Sequence, residues 1–530
     1  MHGTTGADAE QGVTLPADRT AASRLAGFGA IAALFAVIVY LEWGTGLATD
    51  DFVHILYSRE WRLSQILLPD AWFSTPLLHY THGWPFYFLG DRPLAFDLLK
   101  SVYLTSGVYF SYSFFQLFCP PRRAVLMAFL FIFLPLHEAA VYSLIELYLV
   151  ESFTCYLFAY ALAARGRFGW GILFAMLGSF LGYGSSPIAF GLTLLALLQN
   201  QRKLALAMLI PNLIYVVYYL TTSLVFKLGT PRLIGEFGIV PLAKQMFIQL
   251  VTFIDATVGP SAWAKIFYSI SSITLLGCIV ALAVAAAAFR YAASEPRLRA
   301  PVSLLVAAAV IVVLSFGMFS LTGLYPQITF NIGNRIMIYG SFFLLCLFAV
   351  LPVPRLAEAG VVVVLLVAVV GISDHWKQWY REVEKVGGNI RTNKEIRSLP
   401  ADAVLYVSGH QYSRLGPFSH IDFLTADYVA RAFFKLRGDT SIEVYSFNRR
   451  LALQSGELLD RKFAYTKPIK DGGIWLYDTE RNVVERVELA DIQKRLDVLP
   501  EENRHWIQML PDGWIRQQIR AAVPRLSFAF

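Results

Sequence analysis

The chain is poor in charge. Asp, Glu, Lys and Arg make up only 16% of its 530 residues, and 56% are hydrophobic. A soluble domain carries about a quarter charged residues, so this deficit excludes an ordinary water-soluble protein. Cysteine is scarce as well. The four present, Cys119, Cys155, Cys278 and Cys346, lie in or beside apolar blocks, which leaves no disulfide framework and no zinc spacing. There is no glycine-rich phosphate loop, so cytosolic ATP chemistry has no support. Residues 1–22 lack the short apolar core and cleavage site of a secretory peptide, and the first apolar block therefore reads as a retained helix.

The apolar residues fall in blocks of about twenty, the length that crosses a hydrocarbon core as a helix. They do not alternate as barrel strands would. Spans are expected near 25–43, 98–118, 124–141, 144–164, 168–183, 186–200, 204–226, 266–289, 300–321, 334–351 and 358–373, about eleven in all. The net charge is +7. The basic residues cluster in short loops, Arg122/Arg123, Arg165/Arg167, Arg202/Lys203, Arg290/Arg297/Arg299 and Arg355, and these fall on one side when the spans alternate. The charge therefore reads as topological signalling, not nucleic-acid binding. It puts the N-terminus in the cytoplasm and the tail on the outer side, in the periplasm if the envelope is bacterial. Three regions follow: a cytoplasmic tail 1–24, a membrane module 25–373 with a long first outer loop 44–97, and an outer soluble domain 374–530. In that domain 403–408, 441–447, 473–477 and 483–489 read as strands, and 423–436 and 491–496 as helices.

The strongest chemical signal is Thr49-Asp50-Asp51-Phe52-Val53-His54, just after the first span. Two adjacent carboxylates at a membrane face are costly to desolvate unless they serve a proton, a metal or a ligand. One could act as base while the other orients a hydroxyl or a cation. The competing reading is a helix cap. If a helix starts at Asp50, His54 follows one turn on, over the same face. The loop continues with Trp61, Trp72, His79, His82, Trp84 and Gly90-Asp91-Arg92-Pro93. Trp61, Trp84, Asp91 and Arg92 are candidates for sugar contact, because sugar C–H faces pack on rings beside carboxylates. Gly-Asp-Arg-Pro reads equally as a turn. Glu138 is the best-placed further acid, with His54 a second candidate for an acceptor or metal site. Glu146 and Glu151 lie in or near the fourth span.

A long outer loop opening with paired acids resembles the GT-C superfamily of membrane glycosyltransferases, which includes protein O-mannosyltransferases and the lipid A aminoarabinose transferase. The resemblance implies an α-helical polytopic fold with a C-terminal α/β domain outside. It implies transfer of a sugar from a polyprenyl-phosphate carrier to an envelope glycan, lipid or protein, with Asp50 or Asp51 as base. No cofactor is required on this reading, and a divalent metal is compatible with it. The departing lipid phosphate needs positive charge on the outer side, and Arg335, Lys227, Arg232, Lys244 and Lys265 are the candidates. A snorkelling arginine is the other reading of Arg335. Segment 235–253 reads as an amphipathic interfacial helix beside the lipid entrance. Two other classes remain open, a transporter or flippase for lipid-linked sugars and a non-catalytic assembly protein.

Overall fold

A computed structural model describes residues 21–69, 72–226, 238–294, 301–322, 327–351, 353–400, 402–438, 442–461, 465–470 and 472–522. Lys227 and Arg232 lie outside the described residues.

From Ala21 to Thr392 the described chain is almost entirely helical. Five stretches are long and apolar enough to cross a membrane: Arg202–Val225, Ile239–Ser271, Val302–Leu321, Ile332–Val350 and Arg355–Thr392. Shorter apolar helices, Ala32–Glu42, Tyr148–Ala164, Phe168–Leu181, Ser185–Leu198 and Leu275–Ala287, stand among them. Large apolar side chains are exposed along the Arg202–Leu220 and Val302–Thr322 helices, among them Leu206, Ile210, Leu213, Val217 and Val313. In water such patches would be a liability; against lipid they are the preferred surface.

Two expectations change here. The helix expected over 124–141 stops at Phe133, because Leu134 leaves helical geometry ahead of Pro135, which cannot donate to the ladder. Residues 134–147 then run as a wholly buried, irregular segment holding only the four-residue helix Ala139–Tyr142. The described part of the expected interfacial helix is Ile239–Thr257. It buries Gln245, Gln249 and Thr252 while Phe247, Leu250, Val251 and Ile254 face outward. Its inward face mixes these polar groups with Ile248, Phe253 and Ala256, and its outward face is mainly apolar, as suits a helix at lipid.

The boundary expected at 373/374 falls inside one 38-residue helix, Arg355–Thr392, about 57 Å long at 1.5 Å per residue. Its first half is apolar and its second half charged, so it leaves the membrane and carries the sheet domain. There β1 (Val404–Ser408) lies between β4 (Glu443–Ser446) and β8 (Gly473–Asp478), parallel to both, and β9 (Val483–Glu488) closes the order β4-β1-β8-β9 antiparallel to β8. The helix Asp427–Gly438 makes the crossover from β1 towards β4. Two units were not expected: a hairpin of β2 (Tyr412–Leu415) and β3 (Phe418–Asp422), and a meander of β5 (Leu451–Gln454), β6 (Glu457–Asp460) and β7 (Tyr465–Lys467). Their strands are only three to five residues long and about half apolar, too short for a period of two to show.

The hairpin drives the sheet domain onto the helices. Phe418 stacks on Phe330 at 4.3 Å, and Gly416, at φ +59°, brings its Cα so close to Tyr268 that a Cβ would fall 2.4 Å from the ring. Elsewhere Phe52 packs edge-on against Phe433 at 4.9 Å, and Arg437 pairs with Asp91 and, at 2.5 Å, with Glu384. Arg437→Met strips the partner from a part-buried Asp91 and should cost about 1–3 kcal/mol. Limited proteolysis between the helical region and the sheet domain reads the loosening, and unchanged cleavage kinetics would show the pair to be idle.

Candidate functional site

The site begins with a buried clamp on the connector after the first helix. Asp97 accepts hydrogen bonds from the backbone N–H of Gly44 (2.8 Å) and Gly46 (2.9 Å). Lys100, three residues further along the same helix, donates to Thr45 Oγ1 (2.7 Å), Gly46 O (2.9 Å) and Tyr142 O (3.1 Å), with Asp97 and Glu42 as its counter-ions at 3.2 and 3.5 Å. Gly46 has φ +61°, and a Cβ there would lie 2.3 Å from the Tyr380 ring. Only glycine fits both demands. Thr49, at φ +21°, sits at a backbone angle rare for a β-branched residue and opens the helix Thr49–Arg59.

That start separates the two carboxylates. Asp51 is fully buried and accepts N–H bonds from Ala48 (2.9 Å), Ile145 (3.0 Å) and Leu144 (3.4 Å). It caps its own helix and ties it to the irregular segment 134–147. Burial raises its pKa to about 6, against those N–H bonds. Asp50 stays part-exposed, and the Tyr428 hydroxyl donates to it. Burial, Asp50 and Asp422 push the Tyr428 phenol well up while Arg335 pulls it down, so these four groups share one locality. Arg335 Nε pairs with Glu146 at 3.0 Å, and Arg504 holds Asp422 at 3.0 Å. Arg335 thus already carries a counter-ion.

A small cleft is lined by Thr45, Thr49, Trp376, Trp379, Tyr380 and Asp422. Thr49 Oγ1 and Trp376 Nε1 are buried there without a protein partner. The cleft encloses about 10 Å³, room for about one water, so in this state it holds no sugar ring, although its walls carry aromatic, hydroxyl, N–H and carboxylate groups.

A second centre lies beneath the docked hairpin. Glu138, 1% exposed, pairs with Lys265 Nζ at 2.6 Å, accepts from Asn334 Nδ2 at 2.6 Å and faces His420 Nε2 of β3 at 3.0 Å. Lys265 also donates to Thr329 O at 2.6 Å. Burial alone would raise the Glu138 carboxyl, but Lys265 and His420 hold it down at about 2. Burial pushes the His420 imidazole below its ordinary value, against the pull of Glu138. This centre binds protein to protein and leaves Glu138 no room to meet an acceptor.

The other expected residues lie apart from the cleft. His54 packs on Trp72 (4.9 Å) and Phe86 (5.5 Å), and burial drops its pKa to about 4. Trp61 lies over His79 (4.8 Å) and Tyr87 (6.2 Å), and Trp84 Nε1 donates to Ile66 O at 2.8 Å. These rings hold the first outer loop to itself. Asp91 is taken by Arg437, while Arg92 and Lys244 are exposed. Among the described residues no three His, Cys, Asp or Glu side chains come together as a metal site.

Tyr428, Trp376, Trp379 and Lys100 were not singled out from sequence. A signal for Lys100 was present: Asp97 and Lys100, three apart at the head of an apolar run, are the expected form of an intramembrane ion pair.

No family model matches the chain, and no curated protein matches it in sequence. Two solved structures are similar over most of its length. One is the archaeal oligosaccharyltransferase AglB from Archaeoglobus fulgidus, in complex with an inhibitory peptide and a dolichol-phosphate, at 10% identity and TM-score 0.35 over 78% of this chain. The chain spans 64% of that protein's length. The other is ArnT from Cupriavidus metallidurans bound to undecaprenyl phosphate, at 12% identity and TM-score 0.34, covering 80% of this chain and 86% of that one. Likeness at this level sets neither the fold nor the activity of this chain.

Proposed function

We propose that the chain is an integral membrane glycosyltransferase of GT-C type. It moves a sugar from a polyprenyl-phosphate donor to a hydroxyl of an envelope glycan, lipid or protein on the side where the sheet domain sits. By the distribution of basic loops that side is the outer one, the periplasm of a bacterial inner membrane, and the N-terminus is cytoplasmic. The observation that carries the reading is Asp50, a part-exposed carboxylate next to Thr49 of a small aromatic-walled cleft, at the start of a helix held by the Asp97–Lys100 clamp and by the cap that Asp51 supplies.

In this reading Asp50 takes the proton of the acceptor hydroxyl. The freed oxygen attacks the anomeric carbon, the bond from that carbon to the phosphate oxygen breaks, and the lipid phosphate leaves with the electron pair. Arg335, in the same locality, offers N–H groups to the departing phosphate as charge develops on it. Tyr428, bonded to Asp50, fixes the carboxylate's orientation.

The test is a transfer assay in nanodiscs with a panel of polyprenyl-phosphate sugars and extracted envelope acceptors. Transfer by the wild type supports the reading. Binding of a lipid-linked sugar with no transfer to any acceptor favours the flippase, and neither binding nor transfer favours an assembly role. Trp379→Ala removes a cleft wall away from the reacting atoms and should raise the acceptor KM severalfold with little change in kcat; an unchanged KM would remove the cleft from acceptor binding.

A further inference from the structure

The residues after the sheet domain return to the membrane side of the molecule. His505 Nε2 pairs with Asp255 Oδ2 at 2.7 Å, and the N–H of Trp506 donates to Ser261 Oγ at 3.4 Å. Both partners belong to the helices Ile239–Thr257 and Pro260–Ser271. The level of these helices is fixed by the long exit helix. Asp374 accepts from Thr274 N–H (2.9 Å) and Oγ1 (2.6 Å), and Gln378 donates to Ser272 O (3.1 Å). Those contacts fall where that helix changes from apolar to charged, which is the membrane surface. There Val258, between the two helices, and Trp263 and Phe267 on the short one turn outward, each about three-fifths exposed (60, 61 and 65%).

From this anchor the chain runs into the helix Trp514–Ala522. Trp514 is 72% and Ile515 60% exposed, whereas Arg516 is folded back onto Leu510 O (3.1 Å) and Asp512 (2.9 Å). The start of the helix thus points Trp514 and Ile515 away from the protein. Residues 513–530 contain Arg516, Arg520 and Arg525 and no acidic residue. Tryptophan and isoleucine beside arginine, in an amphipathic helix pinned at a membrane surface, are the composition that enters the headgroup layer. With Arg516 taken by Asp512, the charge that complements anionic lipid is that of Arg520 and Arg525.

We propose that the Trp514–Ala522 helix lies in the membrane interface as a second attachment of the sheet domain, its partner being an anionic lipid surface. The turn Trp506–Met509 that leads into it packs against the short helix that carries Trp263 and Phe267. The sheet domain is then held to the membrane at two places, by the exit helix and by this one.

The experiment uses the full chain, with Cys278→Ser to remove its exposed thiol. A nitroxide is placed at Trp514→Cys or, as a water-facing control, at Asp491→Cys. Collisional access to oxygen and to a water-soluble nickel chelate is read in nanodiscs of phosphatidylcholine with and without phosphatidylglycerol. Position 514 should show a severalfold higher ratio of oxygen to nickel access than position 491, rising further with phosphatidylglycerol. Equal ratios at the two positions in both lipids would overturn the proposal. Protection of position 514 from both reagents would place protein on that face and would overturn it as well.

Discussion

Asp50→Asn is expected to reduce sugar transfer by about 10²–10⁴-fold, the range for removal of a positioned general base, and to leave the thermal midpoint nearly unchanged. Its neighbour should behave the other way. Asp51 accepts three backbone N–H bonds in a fully buried place. An amide there must turn its NH₂ toward donors, which costs about 1–3 kcal/mol for groups left unpaired. Asp51→Asn should therefore lower the midpoint first and lose activity as a consequence of misplacing Asp50. Turnover and midpoint measured on the same two preparations separate chemistry from scaffold. A pair of variants that lose both quantities equally would show that the structure's division of labour between the two acids is wrong.

Lys265→Met is expected to destabilise the protein by about 3–5 kcal/mol, because it leaves the Glu138 carboxylate buried without its cation. Replacing both partners, Lys265→Met with Glu138→Leu, should recover part of that loss, since two apolar groups leave no unpaired charge. Full recovery is not expected, because Asn334 and His420 also bond to Glu138. Acid should act on the same centre. The Glu138 pKa is depressed from 4.5 to about 2, so its ion pairing contributes stability that is complete above pH 4.5 and is lost as pH falls towards 2. His420, also depressed, takes up a proton more readily in the unfolded chain, so its burial costs stability once pH drops below 6.5. Both effects have the same sign. The unfolding midpoint should decline from about pH 6.5 downward and steepen below 4.5, and Glu138→Gln should flatten the lower limb. A midpoint insensitive to pH over this range, or one that rises in acid, would contradict the charge states assigned to the pair.

Much of the helical region could be read from the chain because a run of twenty apolar residues has few other uses. Where a polar or irregular piece was hidden inside such a run, composition misled. Leu134–Leu147 is apolar enough to pass for helix, but Pro135 and the needs of His137, Glu138 and Ser143 make it a buried loop. In the sheet domain the four strands that pair edge to edge were visible, as was the helix carrying Tyr428. The β2–β3 hairpin was not, and with it went the partner of Glu138. A histidine at position 420 means nothing until the fold brings it to a glutamate 282 positions earlier. The Asp50/Asp51 motif was legible as a pair but not as two roles. Adjacent residues on a helix start point in different directions, and which of them is buried depends on Ile145, far along the chain. Arg335 was legible as an outer cation, whereas its salt bridge to Glu146 needed the packing of the irregular segment.

The most direct test of the central claim is to measure donor binding and transfer separately in Asp50→Asn. The protein is reconstituted in nanodiscs with a polyprenyl-phosphate sugar that the wild type uses. If Asp50 is the base, the variant binds the donor as tightly as the wild type and transfers almost none of its sugar. Transfer at the wild-type rate by a variant that lacks this carboxylate would contradict the account.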